Sequence, residues 1–225
     1  MNYVFQFNVI WEHLPALLHG VFLTLEMSVM SIGLGSALAM VCAYGQVASS
    51  RAIKRLIGGY IETIRNTPVL VQVFVFYFSL PILGLKVSPF AAAVAALTIN
   101  LGAYACEILR AGIESVPRGQ VEAGRALGLS RLQTFRFVIF FPALKTVFPA
   151  LSSQFILLML SSSVVSTISA VELTAVTNSL QSTTFRAFEF YFVAAALYLG
   201  MSLALKAVMH IVYWLSFERN APSVG

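Results

Sequence analysis

Asn100, Tyr104 and Glu107 are separated by four and three residues. That spacing puts an amide, a phenol and a carboxylate on one face of a helix. In an apolar chain such a face serves a solute path through a low-dielectric core, or it makes helix–helix hydrogen bonds. Glu107 has a third option, because near the end of an apolar run its carboxylate can snorkel to the interface. Arg65 either meets a solute carboxylate or pairs with Glu62 or Glu107. Glu172 follows the tract Ser161, Ser162, Ser163 and Ser166, where a helix break would expose backbone groups to a cavity. A surface carboxylate on a loop is the alternative reading of Glu172.

Catalytic chemistry has poor support. All nine acidic residues are Glu, so no Ser-His-Asp set can form. His13, His19 and His210 are scattered, and Cys42 and Cys106 sit alone in apolar blocks as small packing residues rather than as a metal pair. No G-x-x-x-x-G-K-[ST] phosphate loop occurs, so the chain lacks the backbone cradle and Lys that ATP needs, and it is expected to carry no cofactor of its own.

The elements that hold these side chains belong in a bilayer. Of the 225 residues 59% are hydrophobic and 10% charged, with mean hydropathy +0.86, against about 25% charged in soluble domains. Residues 1–225 read as one all-α transmembrane domain. Spans are expected at about 16–44, 56–80, 87–110, 143–165 and 188–216, each long enough for the roughly 20 apolar residues a crossing needs. The first residues lack the cationic start of a cleaved signal peptide, so the N-terminus is expected to be retained. Arg51, Lys54 and Arg55 follow the first span, Arg110, Arg118, Arg125, Arg131, Arg136 and Lys145 lie between the third and fourth, and Arg219 follows the fifth. The opposite side shows Lys86 and Arg186. Basic residues favour the cytoplasmic side, which puts the N-terminus outside and the C-terminus in the cytoplasm. The basic excess therefore reports orientation rather than nucleic-acid binding. Gly33, Gly35 and the alanines at 91–93, 95 and 96 are expected to allow close helix packing.

Residues 111–142 form the one long polar segment. Pro117 suits a first helical turn, Gly119 to Leu127 make about two turns, and Gly128 ends them in a left-handed cap. Ser130 with Gln133 spells a capping box that starts a second helix through Phe141, and Pro142 is expected to separate it from the fourth span. Small Ala123, Gly124 and Ala126 would let the first helix dock closely in a groove of another protein. A solvated amphipathic loop is the alternative.

The run Gly119-Gln120-Val121-Glu122-Ala123-Gly124-Arg125-Ala126-Leu127-Gly128-Leu129-Ser130, followed by Ile139-Phe140-Phe141-Pro142, resembles the coupling motif of ATP-binding-cassette importer permeases. That motif is Glu-Ala-Ala, three residues, Gly, then Ile-x-x-Pro; Gly124 here replaces its second Ala. Glu62-x-x-Arg65-x-Thr67-Pro68, Gln72, Phe76-Tyr77, Asn100-x-x-x-Tyr104-x-x-Glu107-x-x-Arg110-x-Gly112-Ile113 and Glu172-Leu173-Thr174 extend the resemblance, in order, to the polar amino acid subgroup. One stretch departs. Leu160-Ser161-Ser162-Ser163 stands where relatives often carry Lys-Asp/Asn-Thr-Ser, so a buried cation is missing.

The resemblance implies a five-helix type I importer permease fold, with a cytoplasmic coupling helix between the third and fourth spans. It implies a bacterial inner-membrane subunit that moves polar amino acids inward by alternating access. The partners would be cytoplasmic ATP-binding subunits holding ATP and Mg, a second permease subunit (identical or different) and a periplasmic amino acid-binding protein. Arg65, Asn100, Tyr104, Glu107, Ser163 and Glu172 are then the candidates for substrate binding, Glu172 by attracting an ammonium group from a loop over the cavity. Glu122, Ala123, Gly124, Ala126, Leu127 and Gly128 are the candidates for ATPase coupling. A secondary transporter or channel without an ATPase is the alternative function; it would share the buried Glu and Arg and would not need the coupling segment.

Overall fold

The computed structural model of the chain describes residues 3–48 and 50–219. Among them the regular structure is entirely helical. The first helix, α1 (Asn8–Ala48), packs most extensively on α4 (Pro89–Glu114), and α4 also meets α2 (Arg51–Arg65), α3 (Val69–Ile82) and α7 (Phe141–Ser161). This makes α4 the central helix. Its small residues explain the position: Ala92, Ala93, Ala96, Ala103 and Ala105 are essentially inaccessible, and lipid offers no hydrophobic drive that larger side chains could exploit.

Two glycines show how close the approach is. A Cβ on Gly35 would lie 2.9 Å from Leu101, and one on Gly102 would lie 2.6 Å from Leu38 and 2.7 Å from the Tyr60 hydroxyl. Gly33, expected to share this role, has open space where its side chain would be. The Tyr60 hydroxyl donates to the Ile99 carbonyl at 2.6 Å, so a side chain at 102 must displace it. Gly102→Val is therefore expected to cost about 1–3 kcal/mol by overpacking and to lower the thermal unfolding midpoint of the solubilised protein. Gly58→Ala, which meets nothing within 4 Å, serves as the control and should not lower the midpoint, since alanine favours the helix it sits in.

Four helical segments are long and apolar enough to cross a membrane: Asn8–Gln46, Pro89–Glu114, Arg131–Ile168 and Ala187–Glu218. The span expected at about 56–80 is not one helix. It resolves into α2 and α3, separated at Asn66, Thr67 and Pro68. Proline disfavours the helical conformation at the residue before it and supplies no N–H, which favours a helix end there. The 14 residues of α3 span roughly 21 Å, short of the ~30 Å hydrocarbon thickness.

The polar segment folds as α5 (Arg118–Ala126), a turn, and α6 (Arg131–Gln133). Pro117 caps α5 rather than entering its first turn. Gly128 is left-handed (φ 76°); its N–H bonds the Arg125 carbonyl at 2.9 Å and the Leu129 N–H bonds the Gly124 carbonyl at 3.2 Å, which satisfies the helix end. The Ser130–Gln133 capping box forms in both directions. Pro142 does not separate the second helix from the fourth span. A π-helical stretch, Thr134–Phe140, joins α6 to α7 without interruption. The wider π turn shifts carbonyl pairing by one residue, and this accommodates a proline that has no N–H to give.

Beyond α7 the chain tightens into a 3₁₀ turn, Ser162–Ile168, reverses at left-handed Ser169, and continues as α8 (Leu173–Thr184) and α9 (Ala187–Tyr213), ending in a π turn to Glu218. A second buried cluster, including Leu17, Met159, Leu173 and Phe190, ties α1, α7, α8 and α9 together. The extended N-terminal residues are pinned to the start of α9 by the inaccessible Glu189 carboxylate. It accepts bonds from the Tyr3 hydroxyl and the Gln6 N–H, while Arg186 donates to the Val4 carbonyl.

Candidate polar site at the broken helix

The α2–α3 break creates a problem that the site solves. Backbone groups freed inside a membrane protein must find partners, and Gln72 on the first turn of α3 supplies them. Its amide nitrogen donates to the Ile64 carbonyl at 2.8 Å and to the Thr67 carbonyl and hydroxyl at 3.0 Å each. Its amide oxygen accepts from Asn100 Nδ2 on α4 at 2.9 Å. Gln72 is 5% exposed, so α4 meets the break through a largely buried hydrogen-bond relay. Asn66 and Thr67 turn their own side chains back to the Glu62 and Thr63 carbonyls.

One and two turns further along the same face of α4 stand Tyr104 and Glu107. The Tyr104 hydroxyl points at the Arg65 carbonyl at 3.5 Å, and the Arg65 guanidinium lies 5.6 Å from the centre of the Tyr104 ring. Arg65 also faces Glu107 at 3.7 Å. Glu107 is gripped from the other side by Arg110, which donates from both Nε (3.1 Å) and Nη2 (2.5 Å) and whose Nη1 reaches Glu114 at 2.6 Å. Of the two pairings open to Arg65, the structure shows the one with Glu107. The Glu107 carboxylate thus lies between two guanidiniums and is tied down rather than snorkelling.

Arg65, Asn100, Tyr104 and Glu107 therefore converge on one patch. The Arg65 side chain is 43% exposed and that of Glu107 26%, so the patch presents a positive and a negative group to whatever enters from the open side. Gln72 and Arg110 complete it. Sequence reasoning noted both within motifs without giving them a role. The signal for Gln72 was its place four residues after Pro68, where a first-turn amide can reach back over a break.

Glu172 and Ser163 make no hydrogen bond or ion pair to this patch among the described residues. Glu172 is the N-cap of α8 and completely buried. Its carboxylate accepts from the Thr174 N–H at 2.9 Å, the Ala175 N–H at 2.8 Å and the Tyr198 hydroxyl at 2.6 Å. Burial pushes this carboxyl above its ordinary range, and the Tyr198 hydroxyl and the two backbone N–H groups oppose that shift. The expected cavity-facing or surface carboxylate is instead a helix cap inside the protein. The Ser163 hydroxyl donates to the Leu160 carbonyl at 2.8 Å, as a 3₁₀ turn favours.

The second candidate surface is α5. Glu122, Ala123, Ala126 and Leu127 face solvent, with Leu127 81% exposed. Gly124 faces the other way. A Cβ there would lie 3.2 Å from Val138, so this glycine lets α5 sit against the π stretch of its own chain instead of shaping the outward docking face.

Comparison with known proteins places the chain among transport permeases. The glutamine transport system permease protein GlnP of Escherichia coli (strain K12) is 35% identical over 207 residues, covering 91% of this chain and 94% of that one. The octopine transport system permease protein OccM of Rhizobium meliloti is 36% identical over 214 residues, covering 91% and 87%. Among solved structures, an amino acid ABC transporter crystallised with histidines superposes with a TM-score of 0.86 at 35% identity, over 94% of this chain and 99% of that one. The MetNI methionine ABC transporter in an inward-facing conformation matches at 0.76 and 20% identity over 91% and 98%, a likeness of fold. The family described as the binding-protein-dependent transport system inner membrane component matches residues 10–214, and this chain belongs to that family.

Proposed function

We propose that the chain is the membrane permease subunit of an ATP-driven importer of polar amino acids, with its substrate site at the α2–α3 break. The observation that carries this reading is the opposed pair Arg65 and Glu107 beside Asn100 and Tyr104. A free amino acid is a zwitterion. Its carboxylate suits the Arg65 guanidinium and the unpaired N–H groups of the first turn of α3, and its ammonium suits Glu107. The polar relay through Gln72 and Asn100 holds these groups in place while the solute passes. Relatives that carry glutamine, octopine and cystine support the substrate class.

The chain crosses the membrane with its four long helices, and the α2–α3 pair acts as the fifth, broken crossing of a type I permease. Residues 111–142 lie in the cytoplasm, the N-terminus outside. The solvent-facing side of α5, from Glu122 to Leu127, docks on an ATP-binding subunit that holds ATP and Mg. A second permease subunit and a periplasmic binding protein complete the transporter. The test is uptake by the assembled complex in proteoliposomes. ATP-dependent accumulation of at least one neutral, basic or acidic amino acid is expected, with less than a tenth of that rate when ATP is omitted. Equal uptake without ATP would assign a secondary transporter instead.

A further inference from the structure

Lys206 and His210 are one turn apart on α9, inside an otherwise apolar span, and both are exposed on the surface of the chain. Among the described residues Lys206 has no carboxylate within ion-pairing distance. An unpaired ammonium on a spanning helix is costly and calls for a partner. The two side chains line a groove of about 510 Å³ between α9 and α7, opposite Ser152 and Ser153. Those hydroxyls donate back to the Phe148 and Pro149 carbonyls, which leaves Lys206 and His210 as the side chains with which the groove can meet an anion. Phe148 and Tyr213 form the apolar wall.

We propose that this groove binds the headgroup of an anionic phospholipid, with its acyl chain along the aromatic wall. Three features favour that occupant. The groove joins two basic side chains to an apolar surface, which matches a phosphate attached to hydrocarbon. Its place in the fold separates it from the polar patch, since α9 packs on α7, α8 and α1 whereas the patch lies between α2, α3 and α4. Its depth also fits. Lys206 lies 12 residues, roughly 18 Å, from the Glu218 end of a 32-residue helical span that is roughly 48 Å long and so outreaches the ~30 Å hydrocarbon core. An extended lysine can meet a headgroup drawn down between the helices.

The assembled transporter, extracted from mixed bilayers of dioleoyl phosphatidylglycerol and dioleoyl phosphatidylcholine, is examined by native mass spectrometry. Wild type is expected to retain the anionic phosphatidylglycerol at least fivefold over its mole fraction, Lys206→Gln/His210→Gln to lose that enrichment, and Lys206→Arg to keep it. Inorganic phosphate at millimolar concentration should not displace the lipid; displacement would reassign the groove to a free anion. Enrichment that is absent from wild type, or unchanged in the double variant, overturns the proposal. So does efficient cross-linking from Lys206→Cys to the second permease subunit, which would make the groove a subunit interface. The Lys206→Arg protein guards against a loss caused by misfolding.

Discussion

Glu107→Gln is expected to lower ATP-driven uptake at least tenfold in the assembled transporter while leaving membrane insertion intact. The carboxylate is the only acidic group between Arg65 and Arg110 among the described residues, and Arg110 keeps Glu114 when it is lost. Arg65 keeps nothing but the Tyr104 ring. Two consequences follow in the same direction: the counter-charge for a substrate ammonium disappears, and an arginine at the break is left without its carboxylate. A tenfold effect corresponds to about 1.4 kcal/mol, a modest demand on a half-buried charge pair. Arg65→Gln should cost a similar factor. The double variant separates pair from parts: if the two residues serve one substrate site, it should be no more than about threefold worse than the poorer single variant. Uptake by Glu107→Gln within twofold of wild type, at equal assembly, would remove it from the site.

The second large effect is expected at α5. Glu122 is solvent-exposed and makes no ion pair among the described residues, so Glu122→Arg should leave the thermal midpoint where it was. Uptake should nevertheless fall more than tenfold while the partner continues to hydrolyse ATP, because charge reversal on a docking face acts on the partner and not on the fold. Gly128→Val probes the same contact by another route. At φ 76° a β-branched residue is strained by roughly 1–2 kcal/mol, and the turn that sets α5 against α6 must move. Both variants should uncouple hydrolysis from uptake. Wild-type uptake by Glu122→Arg in reconstituted vesicles would refute the docking role of this face.

Parts of this architecture are legible in the sequence because they depend on local rules. The four-and-three spacing of Asn100, Tyr104 and Glu107 fixes one helix face whatever surrounds it, and that face carries the polar patch. Ser130 with Gln133, and Gly128 ahead of them, spell their caps within a few residues. Other features depend on what stands opposite. The break at residues 66–68 was signalled by Pro68 but masked by apolar residues that continue to Ile82; what makes it tolerable is an amide from Gln72, settled by tertiary contact. Glu172 lies outside the usual Ser, Thr, Asp and Asn set for an N-cap, so its capping role was hidden until Tyr198 came to meet it from α9. Gly124 was read by size alone. Its direction, inward toward Val138, follows only once α5 folds back on the π stretch. Pro142 misled because the rule for proline assumes α-helical pairing on its N-terminal side.

That last exception has a mechanical consequence. Arg131 to Ile168 form one continuous helical segment of 38 residues, roughly 57 Å long, with Pro149 in its interior and its far end in the 3₁₀ turn. A flexible joint at Pro142 would absorb a push on α5 as local bending. Under the docking role proposed for α5, continuous helical pairing through Thr134–Phe140 would instead carry that displacement on into α7, as far as the interior Pro149. On that reading, the helical pairing kept at Thr134–Phe140 is what links movement of the polar segment to the membrane span.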